Sequence, residues 1–220
     1  MDFKLSDEQK MIKANMKEFA RRYVDPIAAE IDESGRYPAE VIKLLGEKGF
    51  MGMPFPEEFG GAGVEYLTYA IAVEELSNSC AATGFTMSVH TGLACGPIAL
   101  FGSEEQKKKY LTPMARGQHL GAFALTEPGA GTDVGSATTR AVLEGDQYVL
   151  NGSKTFTSNG PVADTFVTFA WTDPEDRRKG MSAFIVEKGT PGLTVGEHMM
   201  KMGIRASQTS AVFFNDCRIP

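Results

Sequence analysis

The feature that most constrains this 220-residue chain is a change of texture near residue 120. Before it, apolar residues recur at the three-and-four spacing of a helix face. After it, short β-branched and aromatic runs alternate with turn residues. One layer type cannot satisfy both periods. The pattern predicts an α+β chain: an all-α domain over residues 1–118, then a β-barrel or sandwich domain over residues 119–220.

In the first half, Ser6 is a good N-cap for a helix carrying Met11, Ile12, Met16, Phe19, Ala20 and Tyr23. Asp25-Pro26 restarts a second helix, with proline tolerated in its first turn, and Gly35 stops it. Pro38 opens a third helix, Pro54 to Gly63 reads as a loop, and Tyr66 to Leu76 returns to helical periodicity. Ser103-Glu104-Glu105-Gln106 is a capping-box pattern. The apolar Gly84–Leu100 run, about 17 residues broken by His90, Gly92, Gly96 and Pro97, is read as too short for a membrane span. In the second half, strands are expected at 122–125, 137–143, 148–150, 154–157, 165–171, 182–186 and 211–214. Asn151-Gly152 is taken as one of the turns between them.

A net charge of −6 argues against general nucleic-acid binding. Three scattered cysteines without a CxxC fit a reducing compartment, and three histidines without ligand spacing predict no metal site. The charged N-terminus shows neither a signal nor a transit pattern. The expected location is therefore cytoplasmic, or the mitochondrial matrix for a mature eukaryotic form.

The stretch richest in chemistry is Gly121 to Gly135, GAFALTEPGAGTDVG. A strand-like run ends in Thr126 and Glu127, breaks into Pro-Gly-Ala-Gly, and continues to Thr132 and Asp133. Glycines admit a ligand close to the backbone, and hydroxyls at both ends can donate and accept. The combination suits a polar, phosphorylated or flavin-like ligand, although a Pro-Gly loop also serves as a plain turn. Gly129-Ala130-Gly131 fails the dinucleotide fingerprint, because Val134 takes the third glycine position and a strand follows instead of a helix. Phe156 and Ser158 share one face of a predicted strand, which would suit a planar heteroaromatic ring. Periodicity alone favours the plainer reading, with Phe156 in the core and Ser158 starting a turn.

FALTEPGAGTDVGS, followed by YVLNGSKTFTSNG, resembles the acyl-CoA dehydrogenase family. So do the LSDEQ opening, FPEEFGGAG, LFGSEEQKKKYL and the closing KMGIRASQTSAVFFNDCRIP, in the family's order over the whole chain. MSVHTGLACGPIALFGSEEQ and FALTEPG are most similar to the short-chain, butyryl-CoA-type branch. The resemblance implies FAD as cofactor, with Phe123, Leu125 and Thr126 at a strand edge packed on the flavin. Gly131 and Thr132 would touch the FAD pyrophosphate, and Thr132 also the pantetheine arm of the substrate. Phe156, Thr157 and Ser158 would meet the flavin ring. Phe156 stands where the family often has Trp, keeping a ring but no indole N–H; Ser158 stands where it often has Thr, keeping the hydroxyl.

The implied reaction is α,β-dehydrogenation of an acyl-CoA to the trans-2-enoyl-CoA. Its electrons would pass to electron-transferring flavoprotein, in a homotetramer. The family's base is a Glu in a C-terminal four-helix domain that these 220 residues lack, so no catalytic residue is expected here and none beyond weak FAD binding is expected of this stretch alone. Carboxylates beside Gly turns usually cap N–H groups, which is the role expected of Glu127 and Asp133. His90, in the segment that resembles one wall of the acyl pocket, is read as a hydrogen-bonded pocket or core residue. The alternatives are a non-catalytic acyl-CoA or flavin-binding module, and a flavin oxidase or monooxygenase on the same scaffold.

Overall fold

The computed structural model describes residues 4–176 and 179–220. They form two compact units, Met1–Gln118 with Met200–Ser207, and His119–Met199 with Gln208–Pro220.

The first unit is helical. Helix α1 (Asp7–Tyr23) begins at Ser6, whose side chain accepts from the Gln9 N–H while Gln9 reaches back to the Ser6 N–H. It buries Met16, Phe19 and Ala20, and Lys13 pairs at 3.1 Å with the buried Glu75 of α4 (Tyr66–Ser79). α2 (Ala28–Ser34) starts two residues later than Pro26 suggests, because 24–27 form a turn of their own. It ends at Gly35, whose φ of +70° is cheap only for glycine. α3 (Ala39–Glu47) follows Pro38.

The apolar run is one helix, α5 (Ala81–Phe101), of 21 residues. By length and composition it could cross a membrane, contrary to the sequence reading. Its apolar window is 56% buried inside the unit, as in the core helix of a globular domain. It continues through its glycines and Pro97 by widening into a π turn at Val89–Cys95, where the Gly96 N–H bonds the Thr91 carbonyl five residues back. Proline offers no N–H to an α-helical ladder, and a π turn absorbs that irregularity. α6 (104–115) opens with the Ser103–Gln106 capping box. Residues 200–207, placed in the β half by the sequence reading, belong to this unit: Arg205 donates to Asp32 at 2.7–3.1 Å.

The second unit is a curled, half-barrel sheet. Its strands are β1 (Gly121–Ala124), β2 (Arg140–Glu144), β3 (Gln147–Ser158), β4 (Thr165–Trp171), β5 (Met181–Glu187), β6 (Leu193–Val195) and β7 (Thr209–Ile219). The order is β1-β4-β2-β3-β7-β6, with β5 on the other side of β4. β4 is the hub, parallel to β1 and antiparallel to β5, and it meets β2 through one pair, Arg140 with Trp171. Ala122, Leu150, Phe166, Val186, Val212 and Phe214 fill the inner face. Each large side chain among them contributes about 1.5–3 kcal/mol by leaving water.

Two expected strands, 148–150 and 154–157, are one. Asn151-Gly152 lies in mid-strand and is not a turn: pairing with β7 slips by one residue between Leu150 and Gly152, the extra residue lying on β7, where Asp216 has a φ of +49°. A side chain at Gly152, where φ is +150°, would collide with Thr139. The glycine therefore serves close approach of a neighbouring segment.

Candidate flavin site at a strand edge and a bulge

β1 leaves the core at Ala124 and delivers Leu125, Thr126 and Glu127 to one end of the sheet. Thr168 Oγ1 fixes the last strand carbonyl, donating to Ala124 O at 3.1 Å. The end of β3 runs past β1 in the opposite direction: Asn159 Nδ2 donates to Gly121 O at 3.1 Å, and the Thr155 N–H to Thr126 O at 2.7 Å. Phe123, half-buried, packs at 5.0 Å on the Phe169 ring.

β3 carries a bulge of its own here. Pairing with β7 shifts by one residue between Lys154 and Thr157, so one extra residue sits on β3. The extra residue throws Phe156 outward. Its φ is +54° and it is 67% exposed, so the expectation that it belongs to the core is wrong. A bulky non-glycine residue at positive φ is an outlier that costs energy and clusters at functional sites. Thr157 points inward and is buried, while Ser158 is half-buried on the side of Phe156. Asn159, at φ +64°, ends the strand, so Ser158 is its last residue and the turn comes after it. Among the described residues, neither the Thr126 nor the Ser158 hydroxyl has a hydrogen-bond partner, and the Thr157 hydroxyl is buried without one.

The edge and the bulge are tied by a buried ion pair. Lys154, fully buried, donates to Glu127 Oε1 at 2.8 Å and to Leu125 O at 3.1 Å. Glu127, 4% exposed, also accepts the Thr138 N–H at 2.6 Å, the Thr138 hydroxyl at 2.9 Å and the Thr139 N–H at 3.0 Å. Burial alone would raise the Glu127 carboxyl; the Lys154 ammonium and the Thr139 and Thr138 donors outweigh it and hold the group down at about 2. Burial pushes Lys154 below the ordinary ammonium range against the pull of its partner. The short contact and the carboxylate's full set of donors make the ion pair the state at neutral pH. Glu127 thus caps N–H groups as expected. Its pairing with Lys154, 27 residues on, carries no sequence signal, because a lysine in a strand reads as solvated.

Between Glu127 and Ala130 the chain closes a tight turn with paired backbone bonds of 3.0 and 3.1 Å. Side chains added at Gly129 or Gly131 would meet nothing within 4 Å, so protein packing does not require glycine there and the space lies open. Gly131 and Thr132 are exposed beyond the turn, and no bond joins them to the Phe156 bulge. A cavity of about 560 Å³ follows, lined by Asp133, Ser136, Thr138, Arg140 and Trp171 among others, none of them an expected site residue. Asp133 accepts from the Ser136 hydroxyl. Among the described residues no cluster could hold a metal ion. In the helical unit His90 is fully buried, its Nε2 3.1 Å from Met114 O, a satisfied core histidine.

The exposed ring, the hydroxyls with bonding capacity to spare and the open glycines fit a flat, polar-edged group such as a flavin. An all-helical unit followed in the chain by a half-barrel unit defines a two-domain α+β class. Models of the acyl-CoA dehydrogenase N-terminal domain and middle domain match residues 6–118 and 122–217, and the chain belongs to the acyl-CoA dehydrogenase family. It is 54% identical over 220 residues to the "Acyl-CoA dehydrogenase, short-chain specific" of Clostridium acetobutylicum, covering 100% of this chain and 58% of that one. Butyryl-CoA dehydrogenase from Megasphaera elsdenii superposes with a TM-score of 0.96 at 42% identity, over 100% of this chain and 58% of that chain. A chain from a structure of the electron transferring flavoprotein of Acidaminococcus fermentans gives 0.98 at 50%, with the same two coverages. An FAD complex of PigA gives 0.95 at 36%, again over 100% and 58%. The chain thus spans 58% of the length of these relatives.

Proposed function

We propose that this chain forms part of an FAD-dependent acyl-CoA dehydrogenase that converts a short-chain acyl-CoA to its trans-2-enoyl-CoA. Electron-transferring flavoprotein is the proposed acceptor and a homotetramer the proposed assembly. The observation that carries the reading is Phe156: an aromatic ring held out to solvent at positive φ, beside hydroxyls without partners. The short-chain specificity of the Clostridium relative supports the substrate class, and the Acidaminococcus structure supports the acceptor.

FAD held at this site would accept the β-hydride of the acyl thioester as the α-proton leaves. The residues of this chain bind and orient it. Phe123, Leu125 and Thr126 supply the strand edge, Phe156 an apolar face that excludes water, and Ser158 the open hydroxyl of the bulge, while Thr157, its side chain buried, holds the bulge between Phe156 and Ser158 from within. Gly131 and Thr132 lie where phosphate and the pantetheine arm would pass, close to the backbone. Neither nearby carboxylate is proposed as the base. The oxygens of Glu127 are occupied by four donors, and a carboxyl held near 2 is a poor proton acceptor at neutral pH.

The test is anaerobic addition of butyryl-CoA to the natural protein, followed in the visible spectrum. Bleaching of flavin absorbance is expected. Flavin bands that no acyl-CoA bleaches would favour a binding module, and rapid reoxidation by oxygen alone would favour an oxidase.

A further inference from the structure

Lys154 and Glu127 form the one fully buried ion pair among the described residues, and it sits directly behind the candidate flavin contacts. For stability alone such a pair is a poor choice, since well-packed apolar residues of similar volume often do as well or better. What the pair does here is geometric. Lys154 holds the Leu125 carbonyl, the next residue Thr155 holds the Thr126 carbonyl, and Glu127 closes back on Lys154. Three consecutive residues of the β1 edge are thereby fastened to two consecutive residues of β3, immediately before the bulge. The free positions are the Thr126 side chain on one strand and Phe156 on the other. Through the Thr138 and Thr139 N–H groups, Glu127 also anchors the far end of the 128–137 loop that carries Gly131 and Thr132.

We infer that Lys154 and Glu127 are positioning residues for flavin binding, locking the strand edge to the strained bulge and keeping the field at that edge neutral. The inference rests on the flavin site proposed above. It makes a prediction that mere structural support does not. Removing one charge leaves the other buried behind the flavin, so the two single variants must act in opposite senses on its reduction. Lys154→Met leaves a carboxylate that opposes uptake of electrons, and the flavin potential falls. Glu127→Gln leaves an ammonium that favours it, and the potential rises. Each change is on the order of tenfold in the preference for reduced over oxidised flavin, about 30 mV for a two-electron couple. The double variant returns toward the natural value.

The experiment measures the flavin potential of the loaded protein by equilibration with a redox dye, alongside FAD affinity by titration and unfolding of the flavin-free form. Opposite shifts with partial cancellation in the double variant are expected. Shifts in the same direction, or unchanged potentials with only lowered stability, would overturn the inference and leave the flavin site standing. A natural protein that takes up no FAD would overturn both. If Lys154→Met does not fold, Glu127→Gln and the double variant still decide: a rise in the first that the second does not reverse would count against the pair.

Discussion

The π turn of α5 and the bulge of β3 are both irregularities in otherwise regular elements, and they have opposite characters. At the π turn the polar side chains are buried and satisfied: His90 meets Met114 O at 3.1 Å, and Thr91 Oγ1 donates to Met51 O at 2.9 Å. Burial pushes the neighbouring Cys95 thiol up, so it stays an inert thiol at neutral pH. At the bulge, strain is held in place while a ring and two hydroxyls are left open. An irregularity whose groups are all satisfied serves packing. One that keeps strain and unused bonding capacity serves a partner outside the chain.

Changes at the two places should separate along that line. The largest effect is expected where the bulge is fastened: Glu127→Ala leaves the Lys154 charge buried and should cost about 3–5 kcal/mol in denaturant unfolding. The same pair sets an acid limit. The folded carboxyl lies below its unfolded value of about 4.3, so its contribution is full above that pH. It should fade as pH falls through about 2, which a pH series of melting curves would trace and Glu127→Gln would flatten.

A smaller loss, about 1–3 kcal/mol, is expected for His90→Ala, which removes a buried hydrogen bond to the Met114 carbonyl, itself still bonded by the Gly117 N–H, and opens a void in the interior. FAD affinity per folded molecule should not change. Phe156→Gly should do the reverse. Glycine relieves the positive φ, so stability should stay level or rise by up to about 1 kcal/mol, while FAD affinity falls at least tenfold by titration. A Phe156→Gly protein that unfolds early but binds FAD normally would dissolve the contrast. The smallest effect is expected of Ser158→Ala, which removes a hydroxyl with no internal partner. Stability should stay within about 0.5 kcal/mol, with the loss confined to flavin affinity.

The sequence reading succeeds where local chemistry decides the structure. Ser6 with Gln9, Ser103 with Gln106, and Gly35 at positive φ are self-contained signals, and each stands where it was placed. It fails where a distant segment decides. Asn151-Gly152 has the composition of a hairpin turn, but Gly152 is required by Thr139 lying against it, and the strand runs on. Strict alternation sends Phe156 to the core; the extra residue that turns it outward is set by pairing with β7. Lys154 looks like a solvated strand lysine until the fold brings Glu127 to it. β6, three residues long, is too short to register as a pattern. The motif-rich edge at 123–127 offers a candidate place for a ligand in the sequence alone, whereas the ion pair behind it leaves no trace there.

The central claim is that the strained end of β3 and the edge of β1 receive a flavin, and a crystal structure of the natural protein with FAD tests it most directly. The account predicts the isoalloxazine ring against Phe156, with the Thr126 and Ser158 hydroxyls bonded to its polar atoms. A flavin bound elsewhere, with those hydroxyls turned to water and Phe156 unmasked, would contradict it.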